Sequence, residues 1–289
     1  MKVLNFGSLN IDYVYSVDHI IEPGETENSG NVMENCGGKG LNQSIALSKA
    51  GVNVYHAGLV GEEGQLLIDK CVENGVDISY IKKIPGRTGH TIIQVDKNGQ
   101  NSIILFGGAN RQLTPGHIEE VLSHFEKGDI LLLQNEVNLL DLIIDKAYER
   151  GLKIVLNPSP FDSAIGKCDL KKVSMFILNE IEGKQITGKT DPEEILSALY
   201  ESFPEAEVVL TLGSDGSIYR HGNEIHKQGI FEVKAVDTTA AGDTFTGYFI
   251  ASMIEGLSIP EGLKLAARAS SITVTRPGAT DSIPLRSEL

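Results

Sequence analysis

Short apolar runs that alternate with helical patterns constrain the fold of this chain more than any other feature. The clearest runs are Ile130–Leu133, Ile154–Leu156, Phe176–Leu178 and Val208–Leu212. Helical patterns near Leu139–Arg150 and Pro192–Tyr200 lie between them. A short run that is apolar on both faces is typical of a strand buried inside a parallel sheet. The alternation therefore predicts an α/β fold with helices between parallel strands.

Two β-rich insertions interrupt this pattern in the first part of the chain. Ile11–Glu34 follows the first apolar strand, and His90–Phe106 contains the hairpin signal Asn98-Gly99. Their shared strand character predicts that they pair as one small sheet, a lid beside the core. The predicted core comprises residues 1–10, 36–87 and 108–289, and the predicted lid comprises residues 11–35 and 88–107.

The charge and cysteine content of the chain exclude some classes of protein. The 289 residues carry a formal net charge of −14 at pH 7, which argues against a general affinity for nucleic acid or an anionic membrane. The three cysteines are widely spaced and form neither a metal motif nor a disulfide framework. The first residues lack the apolar length of a signal peptide, and no later run approaches a membrane span. We expect a soluble, cytoplasmic protein.

The stretch Val236–Gly247, VDTTAAGDTFTG, combines small residues with the start of a helix. An apolar pattern of helical spacing covers Phe245–Met253, so Ala240–Asp243 lie at a helix N-terminus. Unpaired backbone N–H groups make such a terminus a site for phosphate, and small residues allow close approach. The carboxylate of Asp243 is placed to accept a proton from a hydroxyl group that attacks that phosphate. An ordinary helix N-cap is the alternative that these residues leave open.

A glycine-rich loop, Cys36–Gln43 (CGGKGLNQ), leads into another helical pattern. Its glycines allow close backbone approach to a ligand, while Lys39, Asn42 and Gln43 offer polar groups. The loop lacks the third glycine of a dinucleotide fingerprint, and a glycine follows its lysine where a Walker A loop has Ser or Thr. The combination favours a ligand-binding loop over a flexible turn that only caps the helix.

Polar side chains follow the predicted strand ends. Asn10 and Asp12 come just after the first strand, and Glu136 ends another. Ligands of open α/β sheets bind at the carboxyl ends of strands, and amides and carboxylates suit the hydroxyl groups of a sugar. Taken singly, these residues are equally consistent with a turn held by its own side chains and with an ordinary loop acid.

Two further patterns are compatible with a bound nucleotide. Asn179 and Glu182 (N-x-x-E) are predicted to share a helix face at i and i+3, where they could hold a hydrated Mg²⁺ ion. Thr211–Gly216 (TLGSDG) follows a strand and has the turn chemistry of a nucleotide-contacting loop. A hairpin turn is an equally good interpretation of that segment.

Gly183–Thr190, GKQITGKT, matches the complete Walker A pattern, with Lys189 as its lysine. In a P-loop the helix begins at the Gly-Lys-Thr itself. Here Asp191 is a natural N-cap and Pro192 a natural first helical residue, so the helix would begin too late. The preceding residues, through Thr187, are better explained as a short helix that ends at Gly188. A P-loop NTPase that uses Lys189 is therefore the less favoured alternative.

Taken together and in order, these segments resemble the ribokinase family of sugar kinases, of the phosphofructokinase B type. The resemblance covers nearly the whole chain, and its strongest signatures are GGKGLNQ (Gly37–Gln43) and DTTAAGDTF (Asp237–Phe245). It implies a three-layer αβα sandwich with a mostly parallel central sheet and a small β-sheet lid. It also implies an ATP-dependent phosphotransferase that acts on an alcohol group of a sugar.

The resemblance implies a role for each matching position. Asp243 matches the catalytic base, and the backbone of Ala240, Ala241, Gly242 and Asp243 matches the anion hole. The positions that match sugar-binding residues are Asn10, Asp12, Gly38, Lys39, Asn42, Glu136 and Asp243. Those that match the ATP site are Asn179, Thr211, Gly213, Ser214, Gly216 and Gly242. Glu182 matches a position tied to Mg²⁺ through water, and the set matching a monovalent-cation (K⁺) site is Asp237, Thr239, Thr273, Arg276, Gly278 and Ser282.

The pattern GGKG-x-NQ is similar to that of the members that act on D-ribose, so the implied product is D-ribose 5-phosphate. Another sugar or a nucleoside as substrate, and a sugar sensor without catalysis, remain alternatives. The lid departs from the family at Thr88-Gly89-His90, where an imidazole replaces a small apolar residue, and Arg268–Ser271 departs from an alanine-rich helix beside the adenine. Family members often dimerise through the lid, which implies a homodimer.

Overall fold

The computed structural model describes all 289 residues. Its strands are β1 (Val3–Phe6), β2 (Asn10–Ser16), β3 (Asn31–Gly37), β4 (Val54–Val60), β5 (Asp77–Lys83), β6 (Gly89–Val95), β7 (Asn101–Phe106), β8 (Ile130–Gln134), β9 (Lys153–Asn157), β10 (Met175–Asn179), β11 (Glu207–Thr211), β12 (Ser217–His221) and β13 (Glu224–Gln228). Its helices are α1 (Lys39–Lys49), α2 (Gln65–Glu73), α3 (Pro115–Leu122), α4 (Leu140–Glu149), α5 (Glu180–Thr187), α6 (Pro192–Ser202), α7 (Ala241–Glu255) and α8 (Ile259–Thr273).

A nine-stranded sheet forms the centre of the molecule, in the order β13-β12-β11-β10-β9-β8-β1-β4-β5. The pairs from β11 to β5 are parallel, and only β12 runs in the opposite direction to its two neighbours. The four apolar runs of the second half of the chain are the neighbouring strands β8, β9, β10 and β11. The predicted α/β fold with a mostly parallel sheet is therefore confirmed.

Side chains that alternate along the central strands build one apolar cluster on each face of the sheet. On β8, Leu131 and Leu133 belong to one cluster, while Ile130 and Leu132 belong to the other. The first cluster also contains residues of α3, α4 and α6, and the second contains residues of α1, α2, α7 and α8. Helices thus cover both faces, which confirms the three-layer sandwich.

The two insertions pair as a four-stranded sheet in the order β3-β2-β6-β7. The outer pairs are antiparallel, and the central pair, β2 with β6, is parallel. The small sheet predicted beside the core is therefore present. Its strands run slightly beyond the predicted lid limits, since β2 begins at Asn10 and β3 ends at Gly37.

Helices α1 and α7 approach each other closely because Gly247 lies between them. A Cβ atom at Gly247 would stand 2.5 Å from the Cβ of Ala46 and 2.8 Å from the backbone nitrogen of Leu47. Any side chain there would force the helices apart, which costs about 1–3 kcal/mol in a packed interior. This contact brings the beginning of α7 next to the beginning of α1.

The sequence predicts β structure through Ser217–Val233, but the strands end at Gln228, so the approach to α7 has no regular structure. None of the helices combines the length and the apolar character that crossing a membrane requires.

Candidate active site

The carboxyl ends of the central strands meet at one edge of the large sheet, beside the beginnings of α1 and α7. Asn157, Asn179 and Thr211 are the last residues of β9, β10 and β11. They border a cavity of about 220 Å³. The cavity is lined by Lys39, Asn157, Ser159, Ile177, Leu178, Asn179, Glu182, Thr211, Thr238, Ala240, Ala241, Gly242, Asp243 and Thr246. Residues predicted for the sugar, the anion hole, ATP and magnesium thus share one space.

The N-terminus of α7 is open to this cavity. Ala240 precedes the helix in the left-handed conformation, with φ 59°, which costs a non-glycine residue roughly 1–2 kcal/mol. No side chain caps the helix, so the ordinary N-cap that the sequence left open is absent. The N–H groups of Gly242 and Asp243 bond to no backbone carbonyl, and a Cβ at Gly242 would meet no protein atom within 4 Å. Protein packing does not require this glycine, and its bare backbone leaves room for an anion.

Two amide side chains from α1 hold the carboxylate of Asp243, which is 6% exposed. Asn42 Nδ2 donates to Oδ2 at 2.9 Å, and Gln43 Nε2 donates to Oδ1 at 2.9 Å. Each oxygen keeps a free lone pair after these bonds. Gln43 was predicted as a polar group of the GGKGLNQ loop, but no contact or role at the site was assigned to it.

Glu136 connects the end of β8 with the beginning of α1. Its Oε2 accepts hydrogen bonds from the Ser8 hydroxyl and, at 2.9 Å, from the backbone N–H of Lys39. Gly38, which precedes α1, has φ 95°, a conformation that favours glycine. Burial raises the pKa of Glu136, although the charge of Lys39 and the hydrogen bond from Ser8 act against it. Ser8 is a further unpredicted contact.

Lys39 supplies the positive charge of the cavity. Burial of its ammonium group opposes that charge. The carboxylates of Asp243, Glu136 and Glu182 outweigh burial and raise the pKa of Lys39. The lysine therefore stays charged at neutral pH, between the predicted sugar side and the predicted nucleotide side.

Asn10 and Asp12 lie on β2, where the small sheet joins the core. Asn110 Nδ2 donates to Asn10 Oδ1 at 2.7 Å, and the Thr91 hydroxyl donates to Asp12 Oδ1 at 2.5 Å. A Cβ at Gly37 would stand 1.8 Å from Asp12 Oδ2, so a side chain at this position would displace the carboxylate. No local pattern indicated the partners Asn110 and Thr91, because the pairing of β6 with β2 places Thr91 here and a short 3-10 turn at Gly108–Arg111 places Asn110.

Asn179 is the N-cap of α5 and not a residue on a helix face, which corrects the N-x-x-E prediction. Its Oδ1 accepts the backbone N–H of Glu182 at 3.0 Å, and Glu182 Oε2 accepts the backbone N–H of Asn179 at 2.9 Å. The helix begins one residue later than the pattern assumed. Glu182 is 5% exposed, lines the cavity and keeps free lone pairs. These contacts fit a hydrated Mg²⁺ ion held through water better than direct coordination.

Thr211–Gly216 forms the hairpin turn between the antiparallel strands β11 and β12. Both interpretations of this segment are compatible, since the turn adjoins the cavity at Thr211. Among the residues predicted for ATP, Asn179, Thr211 and Gly242 line the cavity. The other residues predicted for ATP lie in the adjoining turn and do not line the cavity: Gly213, Ser214 and Gly216.

The residues predicted for a monovalent cation come from the loop before α7, the end of α8 and the loop after α8, and Asp237 joins the two loops. Its Oδ1 accepts the N–H of Thr239 at 2.9 Å, and its Oδ2 accepts the N–H of Gly278 at 2.9 Å. Carboxylate and hydroxyl oxygens suit a hard cation. Three further residues were predicted for the cation, and their side chains form hydrogen bonds elsewhere: Thr273, Arg276 and Ser282.

The Walker-type segment does not form a P-loop. Helix α5 ends before Gly188, which has φ 74°. Helix α6 begins at Pro192, and Asp191 caps it by accepting the N–H groups of Glu193 and Glu194. Lys189 is exposed and does not line the cavity.

His90 lies on the face of the small sheet opposite to Asp12. Its neighbour Thr91 bonds to Asp12, and successive side chains of a strand point to opposite faces. His90 packs between Tyr13 and Phe106, with ring centroids 6.0 Å and 5.0 Å away. The imidazole that departs from the family pattern therefore belongs to the other face of the lid.

The chain belongs to the pfkB family of carbohydrate kinases, since the family model described as "pfkB family carbohydrate kinase" matches residues 1–286. The resemblance inferred from the two motifs is confirmed. The protein is a ribokinase-type sugar kinase, an enzyme that transfers a phosphoryl group to an alcohol.

Relatives and solved structures agree with this class. Ribokinase from Haemophilus influenzae is 34% identical, with 98% of this chain and 95% of that protein covered. The structure of Arabidopsis thaliana ribokinase complexed with ribose and ATP is 30% identical, with a TM-score of 0.87 and coverage of 99% and 96%. Deoxyribokinase from Salmonella typhi is 29% identical, with coverage of 98% and 96%.

We expect Asp12→Asn to stabilise the protein at pH 7.5 by about 1–2 kcal/mol. Burial raises the pKa of Asp12 from 3.8 to about 6, against the hydrogen bond from Thr91, and the charge of Glu136 raises it further. Because the folded state binds this proton more tightly, the free energy of unfolding falls as pH rises from about 4 to about 6. The amide of the Asp12→Asn variant carries no charge at either pH, so the variant avoids this loss of stability. Urea unfolding at pH 7.5 and pH 4.5 measures the difference, which should shrink at pH 4.5.

Asp96→Asn, in the hairpin of the same small sheet, is the matched control. Backbone hydrogen bonds from Gln100 and Asn98 lower the pKa of Asp96, so its substitution should destabilise the protein at pH 7.5. An Asp12→Asn protein less stable than the wild type at pH 7.5 would contradict the prediction.

Proposed function

We propose that this kinase transfers the γ-phosphoryl group of ATP to the 5-hydroxyl group of D-ribose, which yields D-ribose 5-phosphate and ADP. The observation that carries the proposal is the ionisable carboxylate of Asp243 at the open N-terminus of α7, in the same cavity as Lys39 and Asn179. The ribokinases among its relatives, including one solved with ribose and ATP, support the choice of substrates.

Asp243 acts as general base in this proposal. It accepts the proton of the 5-hydroxyl group as the sugar oxygen forms its bond to the γ-phosphorus. The bond from that phosphorus to the β–γ bridging oxygen breaks, and the leaving group is ADP. The two hydrogen bonds from Asn42 and Gln43 support this role, because they fix the orientation of the carboxylate.

The backbone from Ala240 to Asp243 acts as the anion hole. The free N–H groups of Gly242 and Asp243 and the positive end of α7 stabilise the charge of the transferring phosphoryl group. Lys39, whose pKa is raised, adds a full positive charge to the same cavity. Most of the rate enhancement comes from positioning and from this charge stabilisation.

The sugar lies between the small sheet and the core, bound by Asn10, Asp12, Gly38, Lys39, Asn42 and Glu136. The carboxylates of Asp12 and Glu136 accept hydrogen bonds from the sugar hydroxyl groups, and they would repel a phosphorylated sugar. The buried Oδ1 of Asn42 has no partner in the protein, so a sugar hydroxyl satisfies it. These features favour a free, uncharged sugar.

ATP lies along the strand ends, with Asn179, Thr211 and Gly242 beside its phosphates and Gly213, Ser214 and Gly216 below the nucleoside. Glu182 would hold Mg²⁺ through water, and the bound ion supplies charge neutralisation on the phosphates. The loops joined by Asp237 would hold K⁺, with Thr239 and Gly278 beside it and Thr273, Arg276 and Ser282 completing the set. The hydrogen bonds of Asp237 keep these loops together without the cation.

We also propose a homodimer that forms through the small sheet. Apolar side chains stand exposed on it, among them Val32, Ile103, Ile104 and Phe106 at 50% or more. Its outer strands β3 and β7 present open edges as well. A cytoplasmic location is a further part of the proposal, supported by the three cysteines, which are all free thiols.

Asp243→Ala should lower kcat about 10³-fold or more, because it removes the general base beside the reacting hydroxyl. Ribose binding, measured by calorimetry, should change little. Lys189→Ala is the control: this exposed lysine lies outside the cavity, so turnover should match the wild type. Loss of turnover in Lys189→Ala together with an active Asp243→Ala would favour a P-loop NTPase instead.

In a panel with 2-deoxy-D-ribose, D-fructose and adenosine, D-ribose should give the highest kcat/KM, by at least about tenfold. The polar groups of the site lose hydrogen-bond partners when one of the other three compounds is bound. Steady-state kinetics in KCl and in tetramethylammonium chloride should show higher activity with K⁺. A compound that exceeds ribose would identify a different substrate. Calorimetric binding of ribose without any product would revive the sugar sensor.

Ile104→Glu should convert the dimer into a monomer in multi-angle light scattering, because it places a charge on the exposed face of the small sheet. Ile225→Glu is the matched control on β13, where the side chain is 50% exposed but distant in the fold from the small sheet. It should leave the dimer intact. A monomeric mass for the wild type would refute the proposed assembly.

A further inference from the structure

A continuous chain of buried amides leads from the core to Asp243. Gln43 donates to Asp243, and Gln43 Oε1 accepts from Gln134 Nε2 at 2.6 Å. Gln134 Nε2 also donates to Asn5 Oδ1 at 3.0 Å, and Asn5 Nδ2 donates to the Gly40 carbonyl at 2.7 Å. The three amides are at most 1% exposed, so water does not compete with these bonds.

The backbone carbonyl of Gly40 fixes the direction of every bond in the chain. A carbonyl can only accept, so the nitrogen of Asn5 must face it and the oxygen of Asn5 must face Gln134. Gln134 then presents its nitrogen to the oxygen of Gln43. Gln43 is left with its nitrogen, a donor, facing the carboxylate of Asp243. A flipped Gln43 amide would place oxygen against oxygen and nitrogen against nitrogen.

A second branch anchors the same chain at another carbonyl. His56 Nε2 lies 3.2 Å from the Gly7 carbonyl and must carry the hydrogen, so Nδ1 accepts from the Ser44 hydroxyl at 2.8 Å. Ser44 in turn accepts from Asn5 Nδ2 at 2.8 Å. Burial lowers the pKa of His56 to about 4, which keeps this ring neutral and the directions of the bonds unchanged.

We propose that Gln43 is a positioning residue for the base, and that Gln134 and Asn5 lock its amide in the donating orientation. Gln43 contacts only protein groups and acts through Asp243, so it sets the rotation of the carboxylate while Asn42 holds the other oxygen. This inference rests on the proposed role of Asp243. It adds that the orientation of the base is determined within the core, at the Gly40 carbonyl, rather than by the bound sugar.

Gln43→Met tests the proposal, since it keeps the shape of the side chain and removes the donor. A hydrogen bond to a charged group is strong enough that kcat should fall about 10- to 100-fold. The Kd of ribose, from calorimetry, and the KM of ATP should stay within about twofold, because Gln43 is buried and does not line the cavity. A merely structural defect would lower the melting temperature without this split between kcat and binding.

Ser44→Ala is the matched control. Ser44 is the next residue of α1, equally buried, and bonds to Asn5 and His56 but not to Asp243. Its substitution should lower the melting temperature and leave kcat near the wild-type value, because the Gly40 carbonyl still fixes the orientation of Asn5. Gln134→Met releases the Gln43 amide and does not contact Asp243, so it should also lower kcat, by a smaller factor than Gln43→Met. It replaces Gln43→Met in the test if that variant does not fold.

The Asp243→Ala background separates the two proposals. Adding Gln43→Met there should reduce the residual rate no further, because a positioning residue has nothing left to position. An inactive Asp243→Ala protein combined with unchanged kcat in Gln43→Met or in Gln134→Met would overturn the positioning role alone. A fully active Asp243→Ala protein would overturn the proposed function, and the role of Gln43 with it.

Discussion

The close contact between α1 and α7 is the constraint on which the candidate active site depends. Asp243 and Gly247 are one helical turn apart on α7, as Asn42 and Ala46 are on α1. The hydrogen bond from Asn42 to Asp243 and the packing of Gly247 on Ala46 therefore lie on the same two helix faces. The absence of a side chain at Gly247 sets the distance between the helices, and that distance permits bonds of 2.9 Å at the site.

An acidic protein that handles phosphate needs positive potential at one place only. The chain carries a net charge of −14, yet the cavity combines the N-terminus of α7 with Lys39. Three carboxylates surround that lysine and keep it charged. In the proposed reaction Glu136 faces the sugar and Asp243 faces the hydroxyl that reacts, so the acidic groups that hold Lys39 also select and activate an uncharged substrate.

Local patterns predicted the fold and the principal motifs, while contacts across the sheet were beyond them. The α/β alternation and the late helix start at Asp191-Pro192 follow from neighbouring residues, and the structure has both. The predicted placement of Asn179 and Glu182 on one helix face was wrong because Asn179 lies one residue outside the helix. The bond between Gln134 and Asn5 spans 129 residues, so it depends on β8 lying beside β1, which no local pattern encodes.

The partly buried carboxyl of Asp12 has a consequence for the stability of the protein. Its raised pKa means that the free protein holds an ionised group where burial disfavours it. Under the proposed function, the hydroxyl groups of the sugar satisfy this carboxylate, so binding relieves a defect of the unliganded state. Ligand that binds only the folded chain shifts the folding equilibrium. The fraction of folded enzyme would then rise with the concentration of its sugar.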